Sequence, residues 1–127
     1  MKLQLILLDD LFYRGTGPTG NCTYSCISRG ELIVNGGMEN VINDKPTGWI
    51  FTNPDNIISE NSQGRVHSRN WSVNIEDDAT LSQVINNIEP GCFYELSFFA
   101  RSEGDQVSLN ANGNQSLDLD DVSLTSL

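Results

Sequence analysis

The feature that most constrains the fold of this chain is the alternation of apolar and polar residues at every second position. Trp71, Val73 and Ile75 share one side of a run whose other positions are Ser72 and Asn74. A period of two is that of a β-strand, because successive side chains point to opposite faces of a sheet. The run therefore predicts a strand with one face in the core.

Later runs repeat this pattern. Their predicted inward-facing residues are Tyr94, Leu96, Phe98 and Ala100, then Val107 and Leu109, and finally Leu117, Leu119, Val122 and Leu124. The last run changes phase at Asp120 and Asp121, which predicts a β-bulge. Turn-forming residues separate the runs, and no long segment has a helical period. We therefore expect an all-β fold, an antiparallel β-sandwich with one buried face per strand.

The composition changes near residue 30, where two predicted regions meet. Residues 1–30 begin with a short apolar run, Lys2 to Leu8, and continue through Gly-Pro-Thr-Gly at 17–20, which is typical of an arm or linker. Residues 31–127 hold the strand runs and form the predicted β-sandwich domain. The apolar run stops at Asp9 without a nearby cleavage site, so we expect a strand or docking arm rather than a signal peptide.

The net charge of −10 narrows the class of partner. Nucleic acids bind proteins largely through cationic side chains that displace counterions, so an acidic surface argues against them. No apolar run reaches the ~20 residues that cross a bilayer, and we expect no membrane insertion. The expected partners are glycans, cations or other subunits of the same protein.

Three cysteines, Cys22, Cys26 and Cys92, give the chain an odd number of thiols. In a reducing compartment all three are expected to be free. In an oxidising compartment, pairing all of them requires at least one disulfide between chains. Neither the first two cysteines nor the single histidine, His67, has a second ligand pair at the spacing of a zinc site. The cysteines are therefore candidates for disulfides that join subunits.

Several ordered stretches resemble the jelly-roll carbohydrate-binding modules, which are galactose-binding-like domains. They are residues 32–39 (LIVNGGME), 46–49 (PTGW), 81–85 (LSQVI), 90–101 (PGCFYELSFFAR) and 119–124 (LDDVSL). Related domains accompany collagen-like repeats on Firmicute surface proteins, and residues 17–20 are similar to one such triplet. The resemblance implies a non-catalytic module at a bacterial cell or spore surface, although this fold hosts many functions.

The resemblance also implies a structural Ca²⁺ that joins the first strand to the last. Its carboxylates are expected from Glu39 and Asp121, with backbone carbonyls near Arg69 and Asn70. Ca²⁺ takes about six to eight oxygen ligands, and neighbouring carboxylates repel each other unless a cation lies between them. The alternative is an exposed Glu39 and a solvated acidic turn at residues 118–121.

Candidates for glycan binding lie on the strand face that the alternation directs away from the core. Aromatic rings stack on sugars, and a few polar groups beside them fix the orientation of a ligand. Phe99 is the predicted platform, with Glu95 and Arg101 as hydrogen-bonding partners. Asn74 and Asn110, from adjoining strands, complete the predicted groove. Alternatively, Phe99 packs under a loop and Arg101 pairs with Glu95.

Two function classes follow, and neither is an enzyme, because the chain lacks a nucleophile elbow, a phosphate-binding loop and a zinc-protease helix. The first is a glycan-binding surface module. The second is a self-assembling structural subunit of a surface fibre or layer, joined by the arm at 1–30 and by inter-subunit disulfides. Only residues 111–116 separate the run at 107–110 from the final strand, which leaves a sheet edge open. Lys2 to Leu8 could complete that sheet in its own domain or in a neighbour's.

Overall fold

The computed structural model describes residues 2–9, 26, 30–102 and 116–127. These residues form nine β-strands and a short 3₁₀ helix, Pro54–Asn56. The strands are β1 Lys2–Asp9, β2 Val41–Ile42, β3 Lys45–Pro46, β4 Ile50–Thr52, β5 Ile57–Glu60, β6 Ser72–Glu76, β7 Thr80–Ile88, β8 Tyr94–Ser102 and β9 Ser116–Ser126. The expected all-β fold is therefore confirmed. No helix within the described ranges is long and apolar enough to cross a membrane.

Two sheets supply most of the fold. One has the strand order β1-β7-β4 and the other β5-β6-β9-β8, while β2 and β3 form a separate two-stranded sheet. Among the described strands every pairing is antiparallel except that of β1 with β7. The antiparallel sandwich is confirmed, and the jelly-roll connectivity stays a prediction.

A single apolar cluster draws on both sheets. Its buried members include Leu81 and Ile85 of β7, Val73 and Ile75 of β6, and Leu117, Leu119, Val122 and Leu124 of β9. Full burial of one such side chain stabilises a fold by about 1.5–3 kcal/mol relative to its exposure to water. The cluster therefore dominates stability and holds the faces of both sheets in fixed positions.

The N-terminal strand belongs to this core. β1 runs parallel to β7, with Ile6 opposite Val84, and the Lys2 N–H donates to the Ala79 carbonyl at 2.9 Å. Its alternate side chains Leu3 and Leu5 pack against the apolar cluster. The prediction that the apolar start adds a strand to its own domain is confirmed: it joins β7, while the outer edge of β8 has no described partner strand. Residues 10–25 and 27–29 of the predicted arm lie outside the described residues.

The segment at 32–39, predicted as the first strand, is a series of turns instead. Asn35 and Met38 have φ angles of 52° and 61°, which a continuous strand excludes. The Asn35 side-chain amide donates to the carbonyls of Asn40 and Thr47 at 2.9 and 2.8 Å. Asparagine tolerates this left-handed conformation and satisfies nearby backbone groups, so the turn prevails over the strand propensity of the apolar residues before it.

This segment nevertheless lies along β9, as predicted. The Leu32 N–H donates to the Leu124 carbonyl, and the Val122 N–H donates to the Gly36 carbonyl, both at 2.9 Å. The two backbones are so close at Gly36 that a Cβ there would lie 1.9 Å from the Val122 carbonyl oxygen. Only glycine permits this approach.

The predicted bulge in β9 is confirmed. Ser97 lies opposite Ser123, but Phe99 lies opposite Asp120, so β9 contains one extra residue between these pairs. Asp121 adopts a φ of 50° at this point. The extra residue lets apolar side chains on both sides of the bulge face the core.

Candidate functional site

The outer face of the four-stranded sheet carries a row of polar side chains. Asn74 of β6 lies opposite Asp118 of β9, which lies opposite Arg101 of β8. In the next row Phe99 of β8 lies opposite Asp120. Because the alternate residues of β9 point into the core, these side chains share the face turned away from it.

The loop at residues 61–71, between β5 and β6, folds over this face. Arg65 donates from Nε and Nη2 to the two carboxylate oxygens of Asp118, both at 3.1 Å. Two backbone N–H groups of the loop donate to Asp120 Oδ2 at 3.0 and 3.1 Å. Both aspartates are consequently only 2% exposed. The alternative of a solvated acidic turn is wrong for these two residues.

Asp118 is the centre of a charged network. Arg101 Nη1 donates to its Oδ2 at 3.2 Å, and Asn74 Nδ2 donates to its Oδ1 at 3.0 Å. Arg65 also pairs with Glu60 at 2.9 Å. A buried carboxylate is tolerated only when it is paired and hydrogen-bonded. Among the described residues the network joins the guanidinium groups of Arg65 and Arg101 to the carboxylates of Asp118 and Glu60, and these contacts hold both arginines in place.

Phe99 and His67 form an aromatic pair beside this network. Their ring centroids are 3.4 Å apart and their planes differ by 11°. Phe99 is 50% exposed, so the loop covers one face of the ring and leaves the remainder accessible. The pair lines a cavity of about 210 Å³ together with Arg65, Arg101 and Asp118.

The structure brings together some of the predicted groove residues and separates others. Phe99 and Arg101 line the cavity. Asn74 is buried beneath it and donates a hydrogen bond to Asp118. Glu95 lies opposite Thr125, beyond the bulge, and is about 13 Å along β8 from Phe99. Six residues of strand, about 20 Å, separate it from Arg101, too far for the alternative ion pair. Asn110 lies outside the described residues.

Two carboxyl groups at the site have shifted pKa values. Burial raises the pKa of Asp120, and backbone N–H groups of Ser68 and Asp121 oppose that rise in part. The Ser62 hydroxyl, which donates to Glu60 at 2.6 Å, lowers the pKa of the Glu60 carboxyl. The first carboxyl is thus easier to protonate than a solvated one, and the second is harder.

The side chains of the predicted metal ligands Glu39 and Asp121 both lie close to Gly37. A Cβ on this glycine would be 3.8 Å from Asp121 Oδ1 and 3.9 Å from Glu39 Cγ. The small residue therefore leaves space beside the two acidic side chains. Both side chains therefore approach the same glycine, in the segment at 32–39 that lies along β9.

One oxygen of each of these two carboxylates already contacts a hydrogen-bonding group of the loop at 61–71. Glu39 Oε1 accepts the Asn70 N–H at 2.9 Å. Asp121 Oδ2 contacts His67 Nδ1 at 2.6 Å and accepts the Ser68 hydroxyl at 2.7 Å. Glu39 Oε2 and Asp121 Oδ1 accept no hydrogen bond from the described ranges of the chain. It is the N–H of Asn70, and not its carbonyl, that contacts Glu39.

Two of the three cysteines are bonded to each other. Cys26 and Cys92 form a disulfide with a Cα–Cα distance of 5.8 Å across 66 residues of sequence. The bond ties residue 26 to the turn between β7 and β8. Cys22 lies outside the described residues, and it is the cysteine left for a bond between chains.

Sequence reasoning missed the contribution of the loop at 61–71. Arg65 and His67 follow no periodicity, so no sequence pattern places them beside Asp118 and Phe99. Asp118 and Asp120 did carry a signal, because they alternate with inward-facing leucines and must share a face with Phe99.

The fold and the site together define an all-β sandwich protein with a polar, aromatic-lined groove on one sheet. Comparison of the chain with protein-family models, with curated proteins and with solved structures gives no match.

Proposed function

We propose that this chain is a non-catalytic binding module that holds a neutral polar ligand of the glycan class beside Phe99. The observation that carries the proposal is a half-exposed aromatic ring next to the guanidinium of Arg101 in one cavity. An aromatic ring covers the C–H face of a sugar, while nearby charged groups bind its hydroxyls. Asp118 fixes the arginine in advance, which lowers the entropic cost of binding.

The size and charge of the groove restrict the ligand. A volume of about 210 Å³ is below the roughly 300–1,000 Å³ of sites for drug-sized ligands, so we expect it to hold one sugar unit of a longer chain. The protein carries a net charge of −10. This charge repels anions and therefore favours an uncharged glycan over an anionic one.

A pair of matched substitutions tests this groove. Phe99→Ala removes the platform, whereas Phe93→Ala removes a ring that is 77% exposed and does not line the cavity. We expect the first to weaken glycan affinity about tenfold, equivalent to about 1.4 kcal/mol, and the second to leave it unchanged. The measurement is a glycan array followed by calorimetry. Absence of any retained glycan, or equal losses in both variants, would overturn the proposal.

We also propose a structural Ca²⁺ between Glu39 and Asp121. The side chains of Glu39 and Asp121 both approach Gly37, and their second oxygens accept no hydrogen bond from the described residues, which suits a cation with oxygen ligands. The ion supplies a cross-link between the turn segment and β9. We expect Ca²⁺ to raise Tm and a chelator to lower it. Asp121→Asn should abolish this response, whereas Asp55→Asn, at an exposed position of the 3₁₀ helix, should retain it. An identical Tm with and without Ca²⁺ contradicts the site.

A structural subunit is the second candidate, because β8 is the last strand in its sheet and no described strand pairs with its outer side. Leu96, which is 47% exposed, lies on this strand, and Phe93, which is 77% exposed, immediately precedes it. Such an edge is a template for pairing with another chain. The proposed setting is a bacterial cell or spore surface, where disulfides persist.

The disulfide limits the covalent product of this assembly. Cys26 and Cys92 are paired within the chain, so one cysteine, Cys22, is left for a link between subunits. We expect a non-reducing gel to show a dimer band that disappears in Cys22→Ser. A ladder of larger covalent species would contradict the intrachain pairing, and a single monomer band favours the binding module.

A further inference from the structure

The turn between β7 and β8 places a carboxylate beside the two bonded cysteines. Glu89 Oε2 lies 3.6 Å from Cys92 Sγ, and Glu89 is 1% exposed. The ligand atoms of Glu89, Cys92 and Cys26 all lie within 4.8 Å of one another. Within residues 2–9, 26, 30–102 and 116–127, no other three His, Cys, Asp or Glu residues converge in this way.

The local sequence explains this convergence. Glu89-Pro90-Gly91-Cys92 forms a tight turn in which the Cys92 N–H donates to the Glu89 carbonyl at 3.2 Å. Proline suits the second position, and Gly91 supplies a φ of 79° at the third. Two ligand residues separated by two others on a turn have the spacing of one half of a structural zinc site.

In the oxidised chain the sulfur of Cys92 and the carboxylate of Glu89 lie close together without a hydrogen bond between them. A disulfide sulfur carries no hydrogen, so Cys92 donates nothing to the carboxylate 3.6 Å away. Reduction changes the chemistry, because thiolates and a carboxylate are ligands for the same borderline-soft cations. The arrangement is therefore suited to the reduced chain.

We propose that the reduced chain binds Zn²⁺ through the thiolates of Cys26 and Cys92 and the carboxylate of Glu89. Tetrahedral Zn²⁺ with bonds of about 2.3 Å to sulfur and about 2.0–2.2 Å to oxygen separates these ligands by about 3.5 Å. The sulfur and oxygen of the turn are already 3.6 Å apart. The two sulfur atoms must separate to admit the ion.

Replacement of the disulfide by bound Zn²⁺ requires a reductant, which is a thiol or a phosphine. Two electrons and two protons enter the disulfide, and the S–S bond breaks. A thiol reductant supplies both protons and becomes a disulfide, whereas a phosphine takes oxygen from a water molecule, which supplies the two protons, and becomes a phosphine oxide. Zn²⁺ then displaces the two thiol protons. The metal replaces the disulfide as the link between residue 26 and the β7–β8 turn, so this link persists under both oxidising and reducing conditions.

The test uses the full-length chain after phosphine reduction and removal of the reductant without air. We expect Co²⁺ to bind at one equivalent, with a sulfur-to-cobalt charge-transfer band and tetrahedral visible bands, and Zn²⁺ to displace it. The oxidised chain should give neither. Competition with a chromophoric chelator should show Glu89→Gln weakening Zn²⁺ binding about tenfold or more, while Glu76→Gln, an exposed carboxyl at the end of β6, has no effect.

Two further variants compare a cysteine that is a proposed zinc ligand with one that is not. Cys92→Ser should remove the charge-transfer band, and Cys22→Ser should leave it in place. The Tm of oxidised Glu89→Gln, if equal to that of wild type, shows that the variant folds. The proposal is overturned by a reduced wild type without the band, by unchanged Zn²⁺ affinity in folded Glu89→Gln, or by loss of binding in Cys22→Ser.

Discussion

Replacement of Gly36 by alanine tests the contact between the turn segment and β9 more directly than any other substitution. The new Cβ would lie 1.9 Å from the Val122 carbonyl oxygen and 3.1 Å from an Ile33 methyl group, whereas real Cβ atoms keep at least 3.0 Å from other heavy atoms. The oxygen belongs to the backbone of a central strand and cannot rotate away. The two segments must therefore separate.

The magnitude follows from what this separation breaks. Hydrogen bonds to β9 from this segment join Gly36 to Val122 and Leu32 to Leu124, and each contributes about 1 kcal/mol. Overpacking of a well-packed core adds about 1–3 kcal/mol. We expect Gly36→Ala to lower the free energy of unfolding by about 3–5 kcal/mol, which corresponds to a fall in Tm of roughly 10–20 °C.

Gly37 provides a matched control at the adjacent position. A Cβ there meets nothing closer than 3.8 Å, and neither glycine has a positive φ, so free space alone distinguishes the two sites. We expect Gly37→Ala to change stability by less than about 1 kcal/mol. Urea and thermal denaturation of both variants measure the difference. Equal stability of the two would refute the close approach of the segment to β9.

Three more substitutions address other parts of the fold. Replacing both Cys26 and Cys92 by alanine should lower the free energy of unfolding by about 4 kcal/mol, the chain-entropy value for a 66-residue loop, as measured in urea; an unaltered midpoint would contradict this. Glu60→Gln should be destabilising by less than about 1 kcal/mol at neutral pH. The Ser62 hydroxyl lowers the folded-state pKa of Glu60. The stability that Glu60 contributes is therefore present above its unfolded-state pKa and disappears as the pH falls through its folded-state pKa. The variant and wild type should be equally stable below that pH, and a difference that persists there counts against the assignment. Asp118→Asn should destabilise by about 2–3 kcal/mol, since it leaves two guanidinium groups without their shared carboxylate; a neutral effect would show that solvent screens the network.

The strands and the bulge were predictable because their signals are local. Val73 and Ile75 face the core as the alternation requires, and the phase change at Asp121 gives the bulge. The alternation also predicted Leu96 as a core residue, but it is 47% exposed. It lies opposite the buried Leu124 and so points to the core side, yet β8 is an edge strand with no described neighbour to cover it.

The covered groove was not predictable, because its cover comes from a loop without a period. Asn74 was expected in an open groove, and it is only 2% exposed because the loop at 61–71 brings Arg65 onto Asp118. Arg65 and Asp118 are more than 50 positions apart, and the sequence around neither residue predicts their contact. The partner of β1 was likewise beyond prediction, since no turn connects parallel strands and fixes their register.

The pairing of Lys2 with Thr80 has a consequence for the folding pathway. β1 acquires its hydrogen-bonding partner only after about 70 further residues have been synthesised, and closure of so long a loop slows folding. Oxidation of Cys26 and Cys92 shortens the connection from β1 to β7 to about 20 residues. A chain that is oxidised early should therefore dock its N-terminal strand several times faster than one that remains reduced.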